Sequence, residues 1–259
     1  MAIPHIIHYC WFGPDSEKPP LVQKCIGSWS LLDDYTIMEW NEATFDVSSH
    51  PVARAMYEQG KYAFVSDYVR LKVLYEFGGI YLDTDVEVKK RFDDAVLSHG
   101  MFISFQYDCA LGTAIIGAQK GNSTIGRLLG AYDDFTERGP NNSLFTQHFL
   151  TAFPAFRLNN RFQLLEEGIA VYPKEYFDCP TDDGSRGYSV HHAIGSWQES
   201  RFGNHRIDRG VKAVARLVIA VAVRIMGEAS YAQYRRRQLA RKTEFYETYL
   251  NHQKEAENR

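Results

Sequence analysis

The sequence contains few cysteines and no arrangement of them that would hold a metal or a network of disulfides. Its 259 residues include four cysteines, and no two of them form a Cys-x-x-Cys pair. Zinc ribbons and small disulfide-rich folds are therefore excluded, and a reducing compartment is the expected environment. Linkers rich in Pro, Gly or Ser, low-complexity tracts and repeats are also missing, which favours one main domain.

Long uncharged apolar runs are missing as well. The first segment, "MAIPHIIHYCWFG", has no basic stretch followed by a long apolar one, so it predicts a buried strand rather than a signal peptide. The apolar segment "VKAVARLVIAVAVRIMG" is interrupted by Lys212, Arg216 and Arg224. Its uncharged runs are far shorter than the ~20 residues of a membrane-spanning helix. We therefore expect a cytoplasmic protein.

Basic charge is scarce except in one region. The net charge is −3, yet residues 201–242 hold eleven Lys and Arg residues against two acidic ones. A basic helix with an apolar face could bind the inner face of the cell membrane as a peripheral element. It could equally pack on the core or on a second copy of the chain in a homodimer, and the sequence leaves these readings open. Nucleic acid is not an expected partner, because no reader motif accompanies the charge.

Strand-like and helix-like segments alternate along the first two hundred residues. Two apolar runs predict strands, three amphipathic runs predict helices, and the apolar triplet "IYL" predicts a further strand. This order indicates an α/β fold with a mixed sheet flanked by helices. We expect residues 1–200 to form this domain and residues 201–259 to form a basic, mainly helical extension. The strand runs are "IPHIIHYCWFG" and "YTIMEW", and the helix runs are "PLVQKCIGSWSLL", "HPVARAMYEQG" and "AFVSDYVRLKVLYEFGG".

Two acidic residues follow the apolar triplet in "GGIYLDTDVEV". If the strand continued, Asp83 and Asp85 would point the same way, because side chains two apart in a strand share a face. Carboxylates that close repel each other unless a cation lies between them, and Mg²⁺ or Mn²⁺ would suit such a pair. An isolated Asp-x-Asp is more often a solvated turn, so its surroundings decide the interpretation.

The surroundings carry a family resemblance. The block "SDYVRLKVLYEFGGIYLDTD" contains Asp67 and Arg70 three apart on one helix face, "KCIGSW" precedes it and "HHAIGSW" follows it. In this order the motifs, spread over residues 3–197, resemble the Asp-x-Asp glycosyltransferases of family 32. That family includes yeast initiating mannosyltransferases, bacterial capsular and lipopolysaccharide sugar transferases, and catalytic domains of clostridial glucosylating toxins.

The resemblance implies a fold and an activity. It implies a GT-A type, Rossmann-like fold and a retaining glycosyltransferase that depends on Mn²⁺ or Mg²⁺. The donor would be a nucleotide-sugar, either a UDP- or a GDP-sugar. The acceptor would be a saccharide or a lipid-linked saccharide in cell-surface polysaccharide biosynthesis.

It also implies roles for individual residues. Asp85 would ligate the metal directly, and Asp83 would contact the sugar and ribose side of the donor, directly or through the ion. Asp67 and Arg70 would hold hydroxyl groups of the donor sugar, and Tyr81 would line the donor pocket. Arg70 would also lie near the diphosphate and assist its departure.

Further roles fall at the two ends of the matched region. Trp11 would stack on the nucleobase, and Ser196 and Trp197 would close over the diphosphate. The second histidine of the "HH" pair, His192, would be the late metal ligand in preference to His191. One departure is that Gly112 and Thr113 lie where many relatives carry an asparagine, so the contacts to the acceptor and the choice of donor sugar are not implied.

Two other functions are compatible with parts of this pattern. A haloacid-dehalogenase-like phosphatase also has an Asp-x-Asp after an apolar strand, but its motif lies near the N-terminus and continues with Thr or Val where Glu87 stands here. A catalytically silent sugar-nucleotide binding protein would keep the fold without the chemistry. Retention of Trp11, Arg70, His192 and both acids argues against such a loss.

Overall fold

The computed structural model describes residues 2–14, 17–132, 141–179, 181, 187–193, 218–219 and 221–257. Helical residues also occur at 218–219 and 221–226. The strands are β1 (Ile6–Cys10), β2 (Thr36–Trp40), β3 (Gly79–Leu82), β4 (Val86–Val88), β5 (Met101–Tyr107), β6 (Ala110–Ala118), β7 (Gln163–Leu165), β8 (Ile169–Tyr172) and β9 (Ser189–His191). The α-helices are α1 (Pro20–Ser28), α2 (Pro51–Glu58), α3 (Tyr62–Phe77), α4 (Asp94–Leu97), α5 (Ser123–Gly130), α6 (Asn141–Ala152), α7 (Lys174–Phe177), α8 (Glu228–Ala240) and α9 (Tyr246–Glu257).

Seven strands form one mixed sheet in the order β2-β1-β3-β6-β5-β8-β7. β1 pairs in parallel with β2 and β3, and β5 pairs in parallel with β8. β6 runs antiparallel to both of its neighbours, and β7 runs antiparallel to β8. The predicted α/β class with a mixed sheet flanked by helices is confirmed.

Helix α3 is more deeply buried than its sequence suggests. The sequence indicates one apolar stripe through Phe64, Tyr68, Leu71 and Tyr75, but Tyr75 is 40% exposed while Val69 is fully buried. The cause is that α3 packs between the sheet and its neighbours α2 and α5, so that more than one face is covered. Along most of α3, polar side chains are therefore tolerated only where they form hydrogen bonds or ion pairs.

The chain turns sharply after β3. The backbone N–H of Val86 donates to the carbonyl of Asp83 at 3.0 Å, and β4 then leaves the main sheet to pair antiparallel with β9. The expectation that the two aspartates continue a strand is therefore wrong. They converge because the turn folds Asp85 back toward Asp83, not because of strand alternation.

The sheet topology collects several chain segments at one edge. β1 and β3 are parallel neighbours, so the residues after them, Trp11 and Asp83, leave the sheet on the same side. β6 begins at that side because it runs the opposite way, and the N–H of Asp83 donates to the carbonyl of Ala114 at 2.8 Å. This edge is where the candidate site lies.

The C-terminal helices pack on the main domain. Ala240 and Phe245 are buried, and the thiol of Cys109 donates to the carbonyl of Ala240 at 3.5 Å. His252 accepts a hydrogen bond from the backbone of Leu158 at 3.0 Å. For this part of the basic extension, packing on the core is observed. The predicted division at residue 200 lies outside the described residues, among which no helix is long and apolar enough to cross a membrane.

Candidate active site

Arg70 is the central buried cation of the site. Its side chain is only 6% exposed, and its Nη2 donates to Asp83 at 3.0 Å and contacts Asp67 at 3.1 Å. Its Nη1 donates to the carbonyl of Thr113 at 2.6 Å, and its guanidinium carbon lies 4.6 Å from the ring centroid of Tyr81. A planar fork of donors suits this environment, because one group satisfies three acceptors at fixed angles.

Burial and charge act on these groups in opposite directions. Burial raises the pKa of the Asp67 carboxyl to about 6, although Arg70 works against that shift. Burial likewise raises the pKa of Asp83, opposed by Arg70 and reinforced by Asp85. Burial alone would lower the pKa of Arg70, but the carboxylates outweigh it and raise it, so the guanidinium keeps its charge.

A potential metal-binding group lies next to Arg70. This group consists of Asp83, Asp85 and His191, which are all partly buried. Each residue has one potential ligand atom that lies within 4.8 Å of those of the other two. The Nε2 of His191 lies 3.4 Å from a carboxylate oxygen of Asp85. Two carboxylates and an imidazole at this spacing can hold a divalent cation with little movement.

The histidine that faces the aspartates is not the one preferred from sequence. His192 turns away from them, and its Nε2 lies 3.0 Å from an oxygen of Glu87. Adjacent residues at the end of β9 point to opposite sides, so only one of the pair can reach Asp85. His191, and not the preferred His192, is therefore the histidine that lies beside the aspartate pair, and which of the two binds a metal stays a prediction.

Glu87 is tied into a different cluster. Its carboxylate accepts from Lys89 at 2.7 Å and from Lys24 at 3.1 Å, in addition to its contact with His192. Burial would raise the pKa of Glu87, but these hydrogen bonds outweigh it and lower the pKa to about 2. Glu87 is therefore ionised and paired, and it holds the end of β4 beside the site.

Two residues of the site were missed from sequence, Asp178 and Arg236. Asp178, just after α7, accepts from the Nδ1 of His191 at 2.7 Å, and Arg236 of α8 donates its Nε to Asp178 at 2.7 Å. Burial opposes a charge on His191, but Asp178 and Asp85 outweigh it and raise the pKa of the imidazole to about 10. No local motif marks either residue, because each reaches the site only through the tertiary fold.

The remaining predicted residues are placed as follows. Tyr81 is 1% exposed and lies beneath Arg70, so it supports the guanidinium instead of facing a ligand as predicted. Trp11 is partly exposed, its backbone N–H donates to the carbonyl of Trp40 at 2.9 Å, and the Nζ of Lys18 lies 5.4 Å from its ring centroid. Ser196 and Trp197 lie outside the described residues.

Thr113, at the departure from the family pattern, is occupied by protein contacts. Its side chain is 4% exposed, and its hydroxyl donates to Asn142 at 3.1 Å. Asn142 also donates to the carbonyl of Leu111 at 3.0 Å. This threonine therefore serves the joint between β6 and α6, and its backbone carbonyl, rather than its side chain, reaches Arg70.

Solved structures with similar folds include two glycosyltransferases. PaToxG glycosyltransferase is 23% identical, with a TM-score of 0.46, and the match covers 59% of this chain and 70% of that one. A glycosyltransferase involved in the glycosylation of the major capsid of PBCV-1 is 11% identical, with a TM-score of 0.43, over 73% of this chain and 94% of that one. Likenesses this distant carry no functional conclusion.

Sequence relatives are more informative. Inositol phosphoceramide mannosyltransferase 3 of Schizosaccharomyces pombe (strain 972 / ATCC 24843) is 31% identical over 127 residues, which is 47% of this chain and 35% of the relative. The chain thus matches about a third of that relative's length. The family model described as "Glycosyltransferase sugar-binding region containing DXD motif" matches residues 19–103, which include Asp67, Arg70, Asp83 and Asp85. Residues 19–103 of this chain are therefore similar to the glycosyltransferase sugar-binding region containing the DXD motif, in agreement with the family resemblance.

Proposed function

We propose that this protein is a metal-dependent glycosyltransferase that moves a sugar from a nucleotide-diphosphate donor to a saccharide or lipid-linked acceptor. The observation that carries the proposal is the convergence of Asp83, Asp85 and His191 within 4.8 Å, beside the buried guanidinium of Arg70. The family match over residues 19–103 adds that this region is of a sugar-binding type.

The donor set fits a divalent cation. Asp83 is already hydrogen-bonded to Arg70, which leaves Asp85 as the better direct ligand, with His191 and the second oxygen of Asp83 beside it. Mixed oxygen and nitrogen ligands favour Mn²⁺ over Mg²⁺. Four carboxylates at the site face two guanidinium groups, so a dication bound with His191 in its neutral form would balance the local charge. When bound, the ion would offset the negative charge that develops on the departing diphosphate.

The protein's own groups would bind and orient the donor. Asp67 and Asp83 can accept hydrogen bonds from sugar hydroxyls, and Arg70 keeps both carboxylates in fixed positions while carrying positive charge to the site. The Nε of Arg70 is buried and has no hydrogen-bond partner among the described residues, so one donor of this guanidinium is left unsatisfied beside the site. Trp11, at the same edge of the sheet, offers a partly exposed ring for stacking on the base.

The wider role is proposed from the name of the fungal relative and from the family resemblance. The name of the fungal relative joins a mannosyltransferase activity to a lipid acceptor, which makes GDP-mannose and lipid-linked acceptors the first to test. A retaining outcome, a role in capsular or lipopolysaccharide assembly, and a cytoplasmic position at the inner face of the membrane follow the family resemblance. Ser196 and Trp197 keep their proposed role in closing over the diphosphate.

The test is donor turnover by the full chain. UDP- and GDP-sugars are incubated with Mn²⁺ and release of the nucleoside diphosphate is measured. We expect turnover with one donor class, a loss of at least about 100-fold in Asp85→Asn and after chelation of the metal, and unchanged turnover in Asp94→Asn, which makes the same change at an exposed acid on α4.

Other outcomes would assign the chain elsewhere. Release of phosphate from phosphomonoesters without nucleotide-sugar turnover would establish the phosphatase alternative. Binding of a nucleotide-sugar without turnover would establish a silent binding protein. Turnover that is unchanged in Asp85→Asn would refute the proposed role of this residue.

A further inference from the structure

A chain of charged contacts connects the aspartate pair to the C-terminal helix α8. The carboxylate of Asp178 accepts from the Nδ1 of His191 through one oxygen and from the Nε of Arg236 through the other, both at 2.7 Å. The other ring nitrogen of His191, Nε2, is the atom that faces Asp85 at 3.4 Å. One ring nitrogen of His191 is therefore hydrogen-bonded to Asp178, and the other faces the aspartate pair.

Arg236 holds His191 in two ways. Besides its bond to Asp178, its Nη2 donates to the backbone carbonyl of His191 at 3.2 Å, and the N–H of His191 donates to the carbonyl of Asp178 at 3.0 Å. Asp178 and Arg236 are 4% and 8% exposed, whereas Arg235 and Arg237 on either side are exposed. One arginine of the basic run is thus inserted into the fold while its neighbours stay at the surface.

The chemistry of this arrangement is specific. An ionised carboxylate can only accept a hydrogen bond, so Asp178 keeps a hydrogen on Nδ1 and leaves Nε2 as the nitrogen able to bind a metal. Arg236 donates to one oxygen of this carboxylate through Nε and to the carbonyl of His191 through Nη2, and because both donors belong to one planar guanidinium, they hold the carboxylate and the backbone of His191 at a fixed spacing. Outer groups of this kind orient metal-binding histidines in many proteins.

We propose that Asp178 and Arg236 are positioning residues that hold the Nε2 of His191 toward Asp83 and Asp85, which makes helix α8 part of the site. This inference rests on the proposed metal site. The alternative is that the Asp178–Arg236 pair only fastens α8 to the domain, in which case its loss would lower stability without changing how His191 binds a metal.

The experiment measures Mn²⁺ binding by the full chain, without donor, from the loss of the free-ion signal in electron paramagnetic resonance. We expect the dissociation constant to rise about 10–100-fold in Asp178→Asn and in Arg236→Gln, and less in Arg236→Lys, which keeps the charge. Arg237→Gln is the matched control at an exposed neighbour and should bind as the wild type does. Each variant's unfolding midpoint in urea is measured beside its affinity.

A second readout separates positioning from stability. Nitrogen bound to Mn²⁺ modulates the electron spin echo, and this modulation should be present in the wild type, absent in His191→Ala and weakened in Asp178→Asn. If Asp178→Asn and Arg236→Gln lower only the unfolding midpoint, with affinity and modulation unchanged, the positioning role is refuted while the metal site stands. If the wild type binds no Mn²⁺, or binds it equally well after Asp85→Asn, the proposed metal site itself is refuted.

Discussion

Replacing Arg70 by methionine should show how far the site depends on one buried charge. Methionine replaces the apolar stem of arginine but has no guanidinium, so Asp67 and Asp83 would lose the cation that lies 3.1 and 3.0 Å away. Breaking a buried ion pair by removing one partner costs about 3–5 kcal/mol, and the hydrogen bond to the carbonyl of Thr113 is lost as well. We expect a loss of that size in the free energy of unfolding at pH 8.

The loss should also depend on pH. In the folded protein the pKa of Asp67 is raised to about 6, so the folded state retains a proton that the unfolded state releases near 3.8, and stability falls as pH rises through this range. Without Arg70 that pKa rises further, and the fall continues above pH 6. Each proton so retained changes stability by about 1.4 kcal/mol per pH unit. The difference from wild type should therefore be at least about 1 kcal/mol larger at pH 8 than at pH 6.

The assay is equilibrium unfolding in urea at the two pH values, followed by fluorescence and extrapolated linearly to water. Arg54→Met is the matched control, because Arg54 forms an exposed pair with Glu58 on α2, and its loss should cost less than about 1 kcal/mol. A loss in Arg70→Met no greater than in this control, or one that is equal at both pH values, would show that Arg70 does not offset the two carboxylates.

Three further variants test other parts of the molecule. In Gly117→Ala the new Cβ would lie 2.0 Å from the ring of Phe102, which is fully buried, so unfolding in urea should become easier by about 1–3 kcal/mol; an unchanged midpoint would contradict the packing described for β5 and β6. In Glu87→Gln the charged hydrogen bonds from Lys24 and Lys89 are lost, and the free energy of unfolding at pH 7 should fall by about 1–3 kcal/mol. The folded-state pKa of Glu87 is lowered, so its contribution to wild-type stability is present above the unfolded pKa of 4.5 and is lost as the pH falls toward 2. Glu87→Gln lacks this contribution and should lose less stability than the wild type between pH 4.5 and pH 2. Equal losses in the two proteins over that range would contradict the pairing of Glu87. In Trp11→Ala the KM for the nucleotide-sugar should rise about 10–100-fold with little change in kcat, whereas an unchanged KM would place the base elsewhere.

The sequence predicted the local part of the site well. Asp67 and Arg70 are three apart on one helix, and Asp83 and Asp85 follow within twenty residues, so helix periodicity and a short connection already bring them near one another. Their identification needed no knowledge of the distant chain. The reason given for the convergence of the aspartates was nevertheless wrong, since a turn, not strand alternation, produces it.

The distant part of the site could not be predicted. Which of His191 and His192 faces the aspartates depends on the register of β9 against β4, and these strands are about a hundred residues apart. Asp178 lies in a segment of ordinary composition, and in the basic segment Arg236 is indistinguishable from the arginines beside it. Only the tertiary packing of α8 shows that one of the three is buried.

The contact between Asp178 and Arg236 also bears on how this protein can vary among its relatives. The region that matches the family model ends at residue 103, whereas this pair lies well beyond it and spans 58 residues of chain. If recombination joined position 178 from one relative to position 236 from another, a buried aspartate or arginine could be left without its partner. Inheritance should therefore keep Asp178 and Arg236 together, so that in an alignment of relatives the two positions change jointly or not at all.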